Sequence, residues 1–194
     1  WRARRRSRST SQPSANSRSY FRIRSRGAWC GAAGSLDEIP AGARVGTSSV
    51  RRVAALRAAR PDLEMVPIRG NVQTRLDRRA TEGLDGVVLA ACGLERIGLD
   101  GEIGFRFPIE TLLPEAGQGA IALQTRVGDG GLVAAADHLD TRMAVMTERA
   151  VTRLLGGGCT TPVAAHAHRS DGGWRLIGWT GDTAAAEGPE PHAL

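Results

Sequence analysis

Between residues 44 and 94, strand-like and helix-like segments alternate, and this alternation restricts the fold more than any other feature of the sequence. "RVGTSSVRRVAALRAARPDL" reads as a short strand followed by a helix, and "LEMVPIRG" (63–70) reads as an extended segment before a second helix. "GVVLAACGL" (86–94) is a continuous apolar run, which is typical of a strand covered on both faces of its sheet. Strand and helix units of this length predict an α/β fold with a mainly parallel sheet.

Both predicted helices carry signals for their own beginnings and ends. Thr47, Ser48 and Ser49 precede the first helix, and their hydroxyl groups can cap its free N–H groups. Pro61 ends that helix, and Asn71 can cap the second one. The sequence therefore places a polar cap directly after each of the first two strands.

The C-terminal part predicts one long helix followed by an antiparallel pair of strands. In residues 137–155, "DHLDTRMAVMTERAVTRLL", apolar residues recur at helical spacing, and Gly156 follows as the C-terminal cap. The predicted apolar face comprises Leu139, Met143, Met146, Ala150 and Leu154. "TTPVAAHAHR" and "GWRLIGWTG" predict two strands joined at residues 171–173.

The positive charge of the chain is concentrated in its first 34 residues. The sequence has 26 basic side chains, all of them arginine, and 20 acidic ones; nine arginines and no acidic residue lie in residues 1–34. The other 17 arginines and 20 acids give the rest of the chain a net charge of −3. Because residues 1–34 are rich in Arg and Ser and have no apolar period, we predict that they are disordered, pack against nothing and contribute no catalytic group.

Composition argues against several classes of partner. The pI of 10.7 belongs to residues 1–34, so a nucleic-acid surface on the folded body is not predicted, although an arginine arm that grips phosphate is an alternative. No apolar run approaches the roughly 18–20 residues that span a bilayer, so no membrane partner is predicted. Three widely spaced cysteines argue against a disulfide framework and for a reducing, cytoplasmic compartment.

Five arginines fall near the carboxyl ends of the predicted strands, where open α/β sheets bind their ligands. A guanidinium group can hold a carboxylate with two parallel hydrogen bonds, so this set suits a ligand with several carboxylates. The alternative is a set of solvated surface arginines. The five are Arg51, Arg52, Arg69, Arg75 and Arg96.

Cys159 lies in the Gly-rich segment "LLGGGCTTPVAAHAHR", where a backbone turn is predicted rather than an aliphatic core. Three interpretations follow from the residues. The thiol can be an inert core group, it can join His166 and His168 in a metal site, or it can be a covalent attachment point on an accessible loop. The spacing matches no common zinc motif and lacks a fourth ligand, so no metal is predicted, but spacing alone does not decide between the other two.

Six segments between about Ser35 and Thr180 carry a specific pattern: "VGTSSVRR", "RPDL", "IRGNVQTRLDR", "GLDGVVLAACGLERIG", "LPEAGQGAIALQTR" and "LLGGGCTTPVAAHA". In this order they resemble the porphobilinogen deaminase family, also called hydroxymethylbilane synthase. The resemblance implies a second α/β domain at 35–113, similar to periplasmic binding proteins with a parallel or mixed sheet. It also implies a segment returning to the first domain at 114–136, and part of a small α+β C-terminal domain at 137–194.

The resemblance also implies a function. Members of the family are monomeric transferases of tetrapyrrole and haem biosynthesis that join four porphobilinogen molecules head to tail, with loss of ammonia, into hydroxymethylbilane. The chain grows on a dipyrromethane cofactor, which a thioether would attach to Cys159. The residues implied to bind the cofactor are Thr47, Ser48, Ser49, Arg51, Arg52, Arg69 and Arg75, and those implied to bind substrate are Arg96 and Gln118.

The sequence departs from the family pattern at its N-terminus. The His-Ser-x-Lys-Asp segment, whose aspartate is the family's catalytic acid and base, does not occur in residues 1–34. We therefore expect a fragment or a frame-disrupted product without a catalytic residue of its own and with impaired activity; Asp37 or Glu38 would have to serve if turnover were normal. The alternative function is a non-catalytic α/β module that binds polycarboxylates.

Overall fold

The computed structural model describes residues 18–21, 26–157 and 161–191. Within these residues, ten strands and four α-helices form three sheets with their covering helices. The strands are β1 Arg18–Phe21, β2 Gly27–Gly31, β3 Arg44–Gly46, β4 Glu64–Val66, β5 Gly86–Ala90, β6 Phe105–Arg106, β7 Ile121–Gln124, β8 Ala164–Ser170, β9 Gly173–Trp179 and β10 Thr183–Gly188. The helices are α1 Val50–Ala59, α2 Val72–Thr81, α3 Ala91–Arg96 and α4 Leu139–Leu154, with short 3₁₀ turns at Asp100–Glu102, Gly130–Leu132 and Ala134–Ala136.

The largest sheet has five strands in the order β4-β3-β5-β2-β6. Strand β3 runs parallel to β4 and to β5, as the alternating pattern predicts. Strand β2 runs antiparallel to β5 and to β6, so the sheet is mixed rather than mainly parallel. The α/β prediction is confirmed at this level, with a separate antiparallel sheet in the C-terminal part of the chain.

Strand β2 corrects the prediction that residues 1–34 pack against nothing. Ala28, Trp29 and Cys30 are each at most 1% exposed, and the Trp29 ring packs beside Phe105 with centroids 6.2 Å apart. The prediction failed because composition was averaged over a window rich in arginine, and this average hid a five-residue apolar strand. Residues 1–17 and 22–25 lie outside the described residues.

Local signals placed the first two helices correctly. The Ser49 hydroxyl accepts a hydrogen bond from the Arg52 N–H, and the Asn71 side chain accepts one from the Thr74 N–H at 2.8 Å. The apolar run 86–94, however, is a strand only as far as Ala90, and helix α3 begins at the next residue. A continuous apolar run does not distinguish a buried strand from a buried helix, which explains the error.

Helix α4 covers a three-stranded antiparallel sheet in the order β10-β9-β8. The predicted hairpin between β8 and β9 is confirmed, and β10 adds a third strand that was not predicted. The predicted apolar face of α4 is wrong: Leu139, Met146 and Leu154 are 58%, 55% and 86% exposed. The buried residues of α4 are Val145 and Glu148, because the face that meets the sheet contains a hydrogen-bonding carboxylate.

Strands β1 and β7 form a separate two-stranded antiparallel sheet. The Tyr20 N–H donates to the Asp137 carboxylate at 3.2 Å, and the Tyr20 carbonyl accepts from the His138 N–H at 3.0 Å. Strand β7 therefore pairs with a strand from the N-terminal part of the chain. Among the described residues, no helix is long and apolar enough to cross a membrane.

The packing of Trp29 generates a test of the fold. A Cβ at Gly86 would overlap the Trp29 ring, whereas a Cβ at Gly101 meets no atom within 4 Å. We expect Gly86→Ala to lower the free energy of unfolding by about 1–3 kcal/mol, the usual cost of overpacking. Gly101→Ala is the matched control and should unfold like the parent chain in urea. Equal midpoints for the two variants would contradict the placement of Trp29 over β5.

Candidate functional site

The site is built around the first turn of α1, where strand β3 ends. Thr47 is buried, and its hydroxyl accepts a hydrogen bond from the Ser49 N–H at 3.4 Å. The exposed Ser48 donates its hydroxyl to the Ile68 carbonyl, two residues after the neighbouring strand β4. The three polar residues therefore fix the entry of the chain into the helix, and Ser49 caps it.

Arg51 and Arg52 follow directly and are only 5% and 8% exposed. Arg51 donates to the Leu113 carbonyl and, at 3.2 Å, to Oε1 of Gln118. Arg52 donates to the Val88 carbonyl in strand β5 at 2.8 Å. The Nε atoms of both arginines are buried and have no hydrogen-bond partner among the described residues. The protein thus holds two guanidinium groups in place without saturating their donors.

The charges of these arginines are poorly compensated. Burial lowers the pKa of Arg51, and Glu115 opposes this shift. The pKa of Arg52 falls to about 10, mainly because of burial and then because of the charges of Arg51 and Arg75. A pKa lowered by burial and by like charges means that the charged form lacks stabilising partners. An anionic ligand would supply them, so the site fits a ligand that carries carboxylates.

A glycine-rich turn closes the site on the other side. Gly117 and Gly119 have φ angles of +76° and +92°, which strongly favour glycine at both positions. Gln118 between them accepts from Arg51, and Arg96 donates to the Gly119 carbonyl at 2.9 Å. The structure therefore brings Arg51, Gln118 and Arg96 together, although they come from three distant parts of the sequence.

Glu148 is the functional residue that sequence reasoning missed. Its buried carboxylate accepts from the Gly117 N–H at 2.6 Å and from the Ala167 N–H at 2.9 Å. It thereby joins the glycine turn to α4 and β8. The available signal was the helical spacing of Glu148, which lies one turn after Ala144 and Val145 and one turn before Val151.

The two histidines that the sequence raised as candidate metal ligands lie two residues apart on strand β8. His166 and His168 stack with ring centroids 5.2 Å apart, and His166 Nδ1 lies 3.5 Å from Oε1 of Glu148. No group of three or more metal-ligating side chains occurs within the part of the chain that the structure describes. Cys159, the third member of the hypothesis, lies outside that part.

Arg75 and Arg69 occupy different positions from the buried pair. Arg75 is half-buried, donates to the Gly70 carbonyl at 2.8 Å and acts on Arg52 through its charge. Arg69 is exposed and lines a groove of about 590 Å³ together with Thr47 and Ser48. The five predicted arginines therefore do not form one uniform cluster.

Asp37 and Glu38 lie at the other end of α1. Arg60, which follows the helix, donates to the Leu36 and Ile39 carbonyls at 2.8 and 3.0 Å, so this loop packs against the C-terminal end of α1. Ten helical residues span about 15 Å. Glu38 accepts from the Gly34 N–H. The loop is therefore not placed to act at the buried arginines.

Two family models match this chain. The model described as "Porphobilinogen deaminase, dipyromethane cofactor binding domain" matches residues 20–134, which is more than half of the chain. The chain belongs to the porphobilinogen deaminase family. The model of the family's C-terminal domain matches residues 142–187. The match begins at residue 20 rather than near Ser35, in agreement with the buried strand β2.

Curated relatives carry the same name. The chain is 46% identical over 149 residues to the porphobilinogen deaminase of Pelobacter propionicus, covering 75% of this chain and 48% of that protein. It is 50% identical over 137 residues to that of Syntrophus aciditrophicus, covering 69% and 45%. For Xanthomonas oryzae the values are 48% over 162 residues, covering 82% and 53%. The chain thus spans about half the length of these relatives.

The electrostatics of Arg52 generate a second test. We expect Arg52→Met to change the free energy of unfolding by no more than about 1 kcal/mol, because losing a buried, uncompensated charge offsets the lost hydrogen bond. The same variant should weaken binding of mellitate, a benzene hexacarboxylate, about 10-fold or more in isothermal titration calorimetry, since charge-assisted hydrogen bonds contribute about 1.5–3 kcal/mol.

Arg60→Met is the matched control. Arg60 is saturated by the Leu36 and Ile39 carbonyls and by Asp62, with which it forms a 2.7 Å ion pair. This variant should lower the unfolding midpoint and leave mellitate binding intact. The opposite pattern, with Arg52→Met unstable and fully competent to bind, would show that Arg52 is purely structural.

Proposed function

We propose that this chain supplies the cofactor and substrate carboxylate site of a transferase that polymerises porphobilinogen into hydroxymethylbilane. The observation that carries the proposal is the pair of buried arginines with unsaturated Nε donors at the start of α1. The family model that matches residues 20–134 is described as a dipyrromethane cofactor binding domain. We infer that the five-stranded part corresponds to the family's second domain, which resembles periplasmic binding proteins.

The residues of the site fit the acetate and propionate groups of a dipyrromethane. Arg51 and Arg52 offer buried guanidinium donors, while Thr47, Ser48 and Ser49 offer hydroxyl groups and the first N–H groups of α1. Arg75 and Arg69 add positive charge around them. When bound, the dipyrromethane would supply the free terminal pyrrole carbon to which the first porphobilinogen unit is joined with loss of ammonia, and each added unit would supply the corresponding carbon for the next one.

Arg96 and Gln118 are proposed to hold the carboxylates of the incoming porphobilinogen. Gln118 lies within the Gly117–Gly119 turn, and both Arg96 and Arg51 donate to this turn, so cofactor and substrate groups would lie on adjacent donors. Holding two reactants in one orientation is itself a large part of catalysis for a bond-forming step. These residues therefore orient the two pyrroles and neutralise their carboxylates.

Cys159 is proposed to carry the cofactor through a thioether. Pro162, three residues after it, lines the groove that also contains Arg69. Three residues of chain span at most about 11 Å, so the sequence spacing keeps the proposed attachment point near Pro162. Cys30 and Cys92 are buried, and burial raises the pKa of the Cys30 thiol to about 11, which keeps it protonated and unreactive.

Proton transfer is the function for which these residues offer no candidate. Among the described residues, Glu115 is the only carboxylate whose charge acts on both Arg51 and Arg52, and it is exposed. Loss of a positioned acid or base costs about 10²–10⁴-fold in rate. We therefore propose that this chain binds its ligands but turns over porphobilinogen slowly.

The second candidate function, polycarboxylate binding without catalysis, rests on the same arginines. The cytoplasmic location, the monomeric state and the lack of nucleic-acid or membrane partners remain predictions.

Covalent loading tests the proposal directly. After incubation with hydroxymethylbilane near pH 8, intact-mass spectrometry should detect an adduct on the parent chain and none on Cys159→Ser. The double variant Cys30→Ser, Cys92→Ser should still acquire the adduct, because both thiols are buried. An adduct that survives in Cys159→Ser would refute the attachment point, and specific binding of mellitate without any adduct would favour the non-catalytic alternative.

A further inference from the structure

Helix α4 presents apolar side chains on the face that points away from the C-terminal sheet. Leu139, Met146 and Leu154 are 58%, 55% and 86% exposed, whereas Val145 and Glu148 on the sheet side are buried. Single apolar residues are common on protein surfaces, but a contiguous apolar patch marks an interaction surface. The outward face of α4 is therefore a candidate docking surface.

The spacing of these side chains fits a second helix. The first four members of the row lie four, three and four residues apart, which is the alternation with which two helices pack along a shared seam. Helix α4 has 16 residues and so extends for about 24 Å, enough for two heptads of such a seam. We call this row the α4 stripe; it consists of Leu139, Met143, Met146, Ala150 and Leu154.

One flank of the α4 stripe is basic. Arg142, Arg149 and Arg153 occupy positions i, i+7 and i+11 and therefore follow the same side of the stripe. Arg142 pairs with Asp137 at 3.2 Å. Arg149 and Arg153 are exposed, and their side chains have no hydrogen bond or ion pair to any described residue. Two positive charges beside the stripe thus lack a counter-charge within the described part of the chain.

These charges argue against a second copy of this chain as the partner. In an antiparallel pair of helices related by a two-fold axis, the same flank of each helix faces its counterpart, so the two rows of arginines would repel each other. In a parallel pair each row would face the opposite flank, where the acidic residue is Asp140. Asp140 already pairs with Arg169 at 3.5 Å. A helix with acidic residues beside its own apolar row is the better complement.

We propose that the α4 stripe is a docking surface for an amphipathic helix of another polypeptide, which carries acidic side chains next to its apolar row. The apolar anchors supply affinity, and ion pairs with Arg149 and Arg153 fix the orientation of the docked helix. The inference does not depend on the proposed function. The stripe lies on the face of α4 opposite Glu148, whose carboxylate holds the Gly117 N–H of the ligand site.

Two designed peptides test this surface on the full chain. The acidic probe consists of three heptads with leucine at the first and fourth positions, glutamate at the fifth and seventh and alanine elsewhere; the basic probe has lysine in place of glutamate. Fluorescence anisotropy should show binding of the acidic probe alone. We expect Met146→Gln, which removes the central anchor, to weaken this binding about 5-fold or more. Arg153→Glu should weaken it about 10-fold or more, because repulsion replaces attraction.

Leu132→Gln and Arg126→Glu are the matched controls. Leu132 is 81% exposed, Arg126 is exposed, and neither belongs to α4. Both variants should bind the acidic probe like the parent chain. Parental affinity in both Met146→Gln and Arg153→Glu, the result expected if the probe bound the nine arginines of residues 1–34, would overturn the docking surface. So would equal losses in the controls, no binding of the acidic probe by the parent chain, equal binding of the basic probe, or a dimer in analytical ultracentrifugation that Met146→Gln dissociates.

Discussion

The burial of the Arg51 and Arg52 guanidinium groups is the constraint on which the rest of the site depends. Two adjacent like charges at 5% and 8% exposure are tolerated only where carbonyl oxygens receive them. Leu113, Val88 and Gln118 provide those acceptors, from a loop, a strand and a turn. The first turn of α1 must therefore sit between β5 and residues 113–119. The Nε donors of both guanidinium groups remain unsaturated within the described part of the chain.

Glu148 extends this constraint to the C-terminal part of the chain. Its carboxylate holds the Gly117 N–H of the turn that Arg51 and Arg96 contact, and it holds the Ala167 N–H of β8. The buried Glu148 carboxylate thus connects the β8–β10 sheet to the Gly117–Gly119 turn, which contacts Arg51 and Arg96. The family assignment fits this connection, since both matched domains meet at this residue.

Helix α1 divides the binding surface into two sides with different chemistry. Its inner side presents buried, partly saturated arginines against the sheet, and its outer side presents exposed arginines above an apolar stripe.

The sequence by itself determined the local features: the caps at Ser49 and Asn71, the β8–β9 hairpin and the placement of arginines after strands. These depend on residues within a few positions of each other, so a linear pattern records them. Only the tertiary structure decided that Gly27–Gly31 lies inside the sheet and that Arg57 and Arg69 line the same groove. It also decided that Glu148, rather than an apolar stripe of α4, contacts the C-terminal sheet. These outcomes depend on contacts between distant segments, whose burial and hydrogen bonding outweigh local composition and periodicity.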